Sequence, residues 1–329
     1  MRVFKKILLL LITVSVLLVT GFVWWSHSAI SRSTAPIPFE IRPGGLQNIV
    51  RQLHAQGVPV NGGLFSFLAR VTGRAAKLKA GNYELKPGET PSGLLERMEK
   101  GQYSYESITI VEGWTFRQMR EAMAAHPGLK QDTAHLTERE LVEQLGMTRS
   151  ETEGLFFPDT YLFARGSSDM QIYRQSHAQL MKKLDGYWEK RDASLPYKTS
   201  YEALIMASIV EKETGLPSDR GKVAGVFTNR LKIGMKLQTD PTVIYGMGDK
   251  YKGVIYKSSL VTDTPYNTYT RHGLPPTPIA LAGEASLKAT FYPEKTDALY
   301  FVARGDGSSE FSTNLSDHNK AVVKYLRSQ

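Results

Sequence analysis

The longest uncharged apolar stretch of the chain lies close to its amino terminus. Residues 7–25 contain no charged side chain, and at about 1.5 Å per helical residue they extend about 28 Å, close to the hydrocarbon thickness of a bilayer. Residues 1–6 carry only basic charges, and Trp24 and Trp25 end the stretch. This pattern predicts a cytoplasmic tail at 1–6, a transmembrane helix at 7–25 and an extracytoplasmic position for everything that follows.

A cleaved signal peptide is the alternative interpretation of the same stretch. Ser26, His27 and Ser28 offer a weak small-residue cleavage site, but the apolar run is longer than a usual signal core. A retained anchor is therefore favoured. Residues 26–37, which contain Ser, Thr and Pro, are predicted to form a tether after it.

Beyond the tether, one pattern occurs three times: an alternating strand, then a glycine, then a helix-period segment. The strand and glycine parts are residues 39–44, 83–88 and 108–113, and apolar side chains recur at helical spacing after each. The copies are unequally spaced, which argues against a solenoid. Residues 38–107 resemble the lysin-motif pattern of small wall-binding modules. Any small α+β packing unit would also explain a glycine turn between strand and helix.

A second apolar stretch, residues 203–210, is nonpolar almost all round, a pattern typical of a buried helix. Thr199 or Ser200 can cap its start, and Gly215 can end it. Short strands mixed with helices predict an α+β fold, with residues 108–329 as a second, larger domain.

Charged residues follow directly where this apolar stretch ends, as Glu211, Lys212 and Glu213. A carboxylate beside apolar surroundings must find a partner or take a raised pKa, and a raised pKa suits a general acid near neutral pH. The two glutamates lie about 200° apart around a helix and cannot share one cleft. Glu211 is favoured as the acid, because it follows the small Ala207 and Ser208 by one turn. The alternative interpretation is that these three charged residues have no catalytic role and lie in solvent on the last turn of the helix.

Composition narrows the chemistry further. The chain has 329 residues, of which 41% are hydrophobic and 22% charged, as in ordinary globular proteins. Cysteine is absent, which excludes disulfides, thiolate nucleophiles and cysteine-ligated zinc. No His-Glu-x-x-His, Gly-x-Ser-x-Gly or phosphate-binding glycine motif occurs, so nothing indicates a metal, a serine nucleophile or a cofactor. Of the catalytic chemistries considered, acid–base catalysis by a carboxylate side chain remains.

The net charge of +9 indicates an anionic partner. Membrane phospholipid, an acidic polymer and nucleic acid are the candidate classes of partner. The basic residues are scattered, with no run of five or more, so nucleic acid is the least favoured partner.

Several ordered blocks together resemble one family. They are residues 157–161 (Phe-Pro-Asp-Thr-Tyr), 207–214 (Ala-Ser-Ile-Val-Glu-Lys-Glu-Thr), 229–231 (Asn-Arg-Leu), 237–246 (Leu-Gln-Thr-Asp-Pro-Thr-Val-Ile-Tyr-Gly), 266–269 (Tyr-Asn-Thr-Tyr), 273–276 (Gly-Leu-Pro-Pro) and 314–319. This combination is similar to the YceG-like family. The resemblance covers essentially the whole chain, including the anchor and the lysin-motif-like region.

The resemblance implies a peptidoglycan lytic transglycosylase, which is a lyase. Such an enzyme cleaves the β-1,4 bond between N-acetylmuramic acid and N-acetylglucosamine inside nascent strands, leaves 1,6-anhydro ends without using water, and so ends glycan elongation. The family's catalytic glutamate falls on Glu211. This acid would protonate the leaving oxygen and then accept a proton from the sugar's C6 hydroxyl, which replaces the second carboxylate of a hydrolase. Gln238, Tyr266, Asn267 and Asn314 are the candidates for holding the sugar.

The resemblance also implies a location and partners. It places the chain in the inner membrane as a single-pass protein with a cytoplasmic amino terminus and a periplasmic catalytic domain at 108–329. Peptidoglycan glycan strands would be the substrate, and peptidoglycan synthases (penicillin-binding proteins) would be neighbours. Two alternatives stay open: a wall-binding scaffold without catalysis, and a hydrolytic muramidase in which Asp240 or Asp159 supplies a second carboxylate.

Overall fold

The computed structural model describes residues 2–326 of the chain. Positions 1 and 327–329, which belong to the predicted tail and the predicted larger domain, lie outside the described residues. The chain divides into two compact units, one formed by the residues up to Glu106 with Leu162–Gly166, the other by Ser107–Tyr161 with the residues from Ser167 onward. Helices and short strands alternate in both, which confirms the predicted α+β class.

The first unit begins with an apolar helix. Its elements are α1 (Arg2–Ser26), β1 (Ile37–Ile41), α2 (Leu46–Ala55), α3 (Gly62–Val71), β2 (Gly81–Leu85) and α4 (Pro91–Lys100). Helix α1 is long and apolar enough to cross a membrane, and none of its most apolar window is buried. A helix this apolar and this exposed fits a membrane-spanning segment.

Strands β1 and β2 form an antiparallel pair at the centre of the first unit. Phe39 lies opposite Tyr83, and their rings stack at 5.7 Å between centroids. Alternation buries Phe39 and Ile41 while Glu40 stays exposed, as a strand with one covered face requires. The buried Tyr83 hydroxyl donates to the carbonyl of Lys79 at 2.9 Å. The predicted strands and helices are confirmed here, and the specific lysin-motif assignment stays a prediction.

The chain passes between the units at β3 (Glu106–Thr109) and β4 (Thr160–Phe163), which form a two-stranded sheet. The remaining elements are α5 (Phe116–Ala125), α6 (Glu138–Leu145), α7 (Asp169–Glu189), α8 (Ser200–Glu213), α9 (Pro217–Lys232), α10 (Asp240–Met247), a 3-10 turn (Gly248–Lys250), α11 (Lys257–Val261), α12 (Glu284–Phe291), β5 (Tyr300–Ala303), β6 (Ser309–Ser312) and α13 (Leu315–Leu326). Strands β5 and β6 pair as an antiparallel hairpin.

Helix α8 is the centre of the second unit. It packs against α7, α9, α10 and α12, and every residue from 203 to 210 is buried. A helix that is apolar all round is stable only when neighbours cover every side. The helices that surround α8 therefore take their positions from it.

Ser208 ties α8 to the segment that precedes α12. The Ser208 hydroxyl donates to the carbonyl of Ile205 at 2.7 Å and accepts the N–H of Ile279 at 3.0 Å. Two residues further along, Leu281 exchanges backbone hydrogen bonds with Gly113 and Trp114, at 2.8 and 2.7 Å. These contacts bring two distant segments to the carboxyl-terminal end of α8.

Ser208→Ala should lower the free energy of unfolding by about 1–3 kcal/mol, because the buried N–H of Ile279 would lose its acceptor. Ser286→Ala is the matched control. Ser286 is fully buried on α12, but its hydroxyl has no hydrogen-bond partner among the described residues. Its removal should change the free energy by less than about 0.5 kcal/mol. Calorimetric unfolding of both variants checks this, and equal effects would contradict a stabilising role for the Ser208 bond.

Candidate active site

The candidate site forms where α8 emerges from the core. Thr199 caps the start of the helix, since its hydroxyl accepts the N–H of Glu202 at 3.2 Å. Of the two predicted caps, the structure therefore uses Thr199. The buried stretch runs to Val210, and the helix ends at Glu213. Its last turn carries Glu211 and Glu213 from a fully buried environment to the edge of the core.

Glu211 lies against the segment that Ser208 holds. Its Oε2 accepts the backbone N–H of Gly283 at 2.9 Å. Gly113 lies on another side, because a Cβ built on that glycine would be 3.8 Å from Glu211 Cγ. A backbone N–H stabilises the charged form of a carboxylate. The partly exposed Glu211 is therefore accommodated by hydrogen bonding.

Glu112 brings a second carboxyl group to Gly283. The backbone φ of Gly283 is an ordinary −76°, yet a Cβ at this position would lie 1.9 Å from Glu112 Oε1. The pKa of Glu112 is raised, first by burial and then by the charge of Glu211. A side chain at position 283 would displace the carboxyl group of Glu112, while Glu211 binds the backbone N–H.

Glu213 faces the other way, as the helical spacing predicts. Its Oε2 accepts the hydroxyl of Thr239 at 2.7 Å. The pKa of Glu213 is raised to about 7, and burial is the largest cause. The charge of Asp240 raises this pKa further, whereas the hydrogen bond from Thr239 and the charge of Arg230 lower it. Near neutral pH a substantial share of Glu213 carboxyl groups therefore holds a proton, which is what a general acid needs.

Arg230 lies near Glu213 but is engaged elsewhere. Its guanidinium donates to the carbonyls of Leu237 at 2.5 Å and Leu299 at 2.6 Å. The side chain is buried. Because these bonds direct the cation toward backbone carbonyls, Arg230 lowers the pKa of Glu213 only as a minor influence.

Gln238, one of the predicted sugar-holding residues, precedes Thr239 in the chain. Its φ is +49°, and it alone among the non-glycine residues of 2–326 has a positive φ. Its N–H donates to the carbonyl of Thr268 at 3.2 Å, and its side chain is exposed. A left-handed conformation at a non-glycine residue persists only where its surroundings impose it, which is frequent at functional sites.

A cavity of about 1220 Å³ opens beside the last turn of α8. Lys212 lines it and donates to the carbonyl of Gly113 at 3.1 Å. Glu211 and Glu213, on either side of Lys212, are not among the described residues that line this cavity. The volume slightly exceeds that of typical small-molecule sites. The contact of α8 with this cavity is therefore made by Lys212.

Tyr266, the second predicted sugar-holding residue, lies in the cavity wall. Its ring lies against Tyr245, with 4.8 Å between centroids, and its hydroxyl shares a hydrogen bond of 2.9 Å with that of Thr277. Aromatic faces and hydroxyl groups together suit a sugar, whose rings stack and whose hydroxyls bond.

Glu153 is a buried acid of this wall that sequence reasoning missed. Its two carboxyl oxygens accept the N–H of Phe116 at 3.0 Å and the hydroxyl of Tyr245 at 3.2 Å. Burial raises the pKa of Glu153 to about 7. The signal available in the sequence was its position directly before the apolar and aromatic residues 154–157, which the structure buries.

The other two predicted sugar-holding residues are bonded locally. Asn267 is buried, and its amide donates to the carbonyls of Ser259, Leu260 and Thr262. Asn314 lies at the start of α13, where its side chain bonds both the N–H and the carboxylate of Asp317. None of these hydrogen bonds reaches α8. Both residues hold turns in place, and their contact with sugar stays a prediction.

Asp240 and Asp159, the candidates for the second carboxylate of a hydrolase, have different surroundings. Asp240 is exposed, accepts the hydroxyl of Tyr269 at 2.6 Å, and its charge raises the pKa of Glu213. Asp159 accepts the side-chain amide of Gln179 at 2.8 Å. Of the two, Asp240 is the one coupled to an acid of α8.

The arrangement can donate and accept a proton. It offers one acid with a backbone partner, Glu211, and one with a pKa near neutrality, Glu213, beside a cavity with aromatic walls. Within residues 2–326, no group of three or more His, Cys, Asp or Glu side chains is placed to hold a metal ion. Proton transfer by a single carboxyl group is the chemistry that these residues fit.

Named relatives extend these observations. A Bacillus subtilis protein named endolytic murein transglycosylase is 35% identical over 284 residues, which cover 80% of this chain and 78% of that protein. A Streptococcus pneumoniae protein of the same name is 29% identical over 318 residues, 86% of this chain. The match covers 57% of that streptococcal protein.

A solved structure and a family model agree with these relatives. A crystal structure of a YceG-like protein from Listeria monocytogenes matches with a TM-score of 0.54 at 33% identity, covering 88% of this chain and 99% of that one. The model of the YceG-like family matches residues 39–324. This match spans both units, including the elements that carry Glu211 and Glu213. The chain belongs to the YceG-like family.

Proposed function

We propose that this chain is a peptidoglycan lytic transglycosylase that cuts inside glycan strands. The B. subtilis and S. pneumoniae relatives bear the name endolytic murein transglycosylase, and murein is peptidoglycan. The observation that carries the proposal is the half-buried Glu213 at the end of α8, whose pKa is raised by burial to about 7. Such a group can donate a proton and then accept one without a metal or a cofactor.

The reaction needs one carboxyl group acting twice. The acid protonates the glycosidic oxygen between N-acetylmuramic acid and N-acetylglucosamine, and the bond to C1 breaks with oxocarbenium character. The C6 hydroxyl of the same muramic acid then attacks C1, and the carboxylate takes the hydroxyl proton. The products are a free hydroxyl on the leaving sugar and a 1,6-anhydro end. One C–O bond breaks and one forms, and the carboxyl group recovers the proton that it donated, so the reaction balances without water.

The assignment of this acid has two candidates. The family resemblance predicts Glu211, whose Oε2 is held by the N–H of Gly283. Burial favours Glu213, because its raised pKa keeps a proton available near neutral pH. We assign proton transfer to Glu213, with Glu211 ordering the segment that leads into α12. Glu211 as the acid is the alternative.

The sugar would occupy the cavity beside α8. Tyr266, in the wall of this cavity, is the predicted contact whose position supports this. Gln238, which is exposed and precedes Thr239, is a further proposed contact. Lys212 lines the same cavity, where its ammonium group would suit the carboxylates of peptide stems on the glycan.

The cellular setting follows from the apolar helix. We propose that α1 anchors the chain in the inner membrane as a single span, with a cytoplasmic amino terminus and residues 108–329 acting on nascent peptidoglycan outside. A lysin-motif-like module at 38–107 would lie next to the membrane. The helix's length and apolar surface support this anchor, and the synthases of the wall, the penicillin-binding proteins, would be its neighbours. Cuts in nascent strands would end their elongation.

Glu213→Gln should reduce the formation of anhydro ends by about 10²–10⁴-fold, because general acid catalysis typically contributes that much. Glu211→Gln should cost less than about tenfold, since a glutamine oxygen can still accept the Gly283 N–H. The measurement is mass spectrometry of purified sacculi digested by the full chain in detergent.

Other outcomes of this digestion decide between the alternatives. A loss confined to Glu211→Gln would assign the acid to Glu211 and reject Glu213. Reducing ends in place of anhydro ends would indicate a hydrolase, for which Asp240 beside Glu213 is the candidate base. Intact strands with the parent chain would indicate a non-catalytic scaffold.

The rate should also fall as pH rises through about 7, where Glu213 loses its proton. Thr239→Val removes a hydrogen bond that stabilises the carboxylate, so the pKa should rise and the fall in rate should move upward by about one pH unit. Thr239→Ser retains the hydroxyl and should restore the parent profile. The check is the pH dependence of anhydro-end formation, and an unchanged profile in Thr239→Val would contradict Glu213 as the titrating acid.

A further inference from the structure

The carboxyl-terminal end of α1 is part of the packing of the first unit. Phe22 and Trp25 both pack against the core that β1, β2 and the helices of this unit share. Phe22 also contacts Phe67 of α3, edge to face, with 5.1 Å between ring centroids. The end of the apolar helix and α3 are therefore held together by aromatic contact.

Helix α3 leaves an apolar face uncovered. Leu64, Phe67 and Val71 are exposed, Phe67 by 53% and Val71 by 58%. At about 100° per residue, these three side chains lie within about 60° of one another around the helix. The covered side of α3 is formed by other residues, Phe65, Leu68 and Ala69. The helix thus has one apolar face toward the core and a second apolar face toward its surroundings.

The exposed face of α3 continues the exposed surface of α1. Val19 and Val23, on the last turns of α1 and within about 100° of Phe22 around the helix, are exposed and apolar. The Phe22–Phe67 contact joins these turns to α3. An apolar surface that spans two helices in water is unfavourable, and such patches mark sites of membrane or protein interaction.

We propose that the face of α3 formed by Leu64, Phe67 and Val71 inserts into the bilayer surface beside α1. The partner is the lipid itself, at the boundary between headgroups and acyl chains. This proposal requires α1 to span the membrane, and it adds a second, separate lipid contact to that anchor.

The depth of Phe67 in the bilayer follows from its contact with Phe22. Phe22 precedes Trp25 by three residues, so along the helix it lies about 4.5 Å deeper than the tryptophan. Tryptophan sits at the level of the headgroups, and interfacial helices bury their apolar faces about 5–10 Å into that boundary. Since Phe67 touches Phe22, its ring lies within this zone whenever α1 spans the bilayer. The lipid contact fixes the orientation of the first unit on the membrane.

The absence of cysteine makes this testable with single labels on the full chain. Phe67→Cys and, independently, Val71→Cys would carry a nitroxide, with the protein in nanodiscs of phosphatidylethanolamine and phosphatidylglycerol. A label on Leu11→Cys in α1 shows whether this helix lies in lipid. Val261→Cys, on α11 and exposed by 75%, is the water-exposed control. Collision with oxygen, which enters lipid, is compared with collision with a water-soluble nickel chelate.

Labels at 67 and 71 should collide several-fold more with oxygen than with nickel, as the label at 11 should, while the label at 261 should show the reverse. Greater nickel collision at both 67 and 71 would overturn the proposal. Low collision with both reagents at these positions would also overturn it, because it indicates a protein partner or a second copy of the chain. A water-exposed label at 11 would reject the anchor and the α3 contact together, while leaving the digestion of sacculi unaffected as a test of the activity.

Discussion

The burial of α8 is the constraint on which the second unit depends. A helix that is apolar on every side must be surrounded, so α7, α9, α10 and α12 pack around it. The same burial determines what its last turn can do. Carboxyl groups at the end of such a helix either gain hydrogen bonds that stabilise their charge or become more difficult to ionise.

Glu211 and Glu213 illustrate both outcomes within one helical turn. Glu211 has the backbone N–H of Gly283 as its partner, and the Glu112 carboxyl group occupies the space beside that glycine. Glu213 has a single hydroxyl, that of Thr239, which does not offset its burial. Two acids of identical chemistry thus meet different partners in the segments that reach them. The difference between their surroundings is the reason to separate an ordering role from a proton-transfer role.

The two units contribute different surfaces to the proposed function. The second unit supplies acids beside a cavity with aromatic walls, in which a further buried acid, Glu153, bonds Tyr245. The first unit supplies an apolar helix and, next to its end, the uncovered face of α3. The proposed activity and the proposed membrane contact therefore depend on different units of the chain.

The sequence by itself determined the features that depend on local periodicity. The apolar span, the strand-glycine-helix segments and the buried helix at 203–210 all follow from the spacing of side chains, which backbone geometry enforces. Of the two caps that the sequence allowed for this helix, Thr199 and Ser200, the structure selected Thr199. The ordered motifs identified the family without any geometry. Only the tertiary structure decided which partner each acid meets, because Thr239, Gly283 and Glu112 lie far from α8 in the chain and their approach is set by packing. Only the tertiary structure, likewise, showed that Glu153 is buried in the cavity wall and that Phe67 meets Phe22, since long-range contacts leave no periodic trace in the sequence. For Asn267 and Asn314 the structure decided between sugar-binding and turn-forming roles that the same amide side chain allows, because it showed both bonded to their own turns.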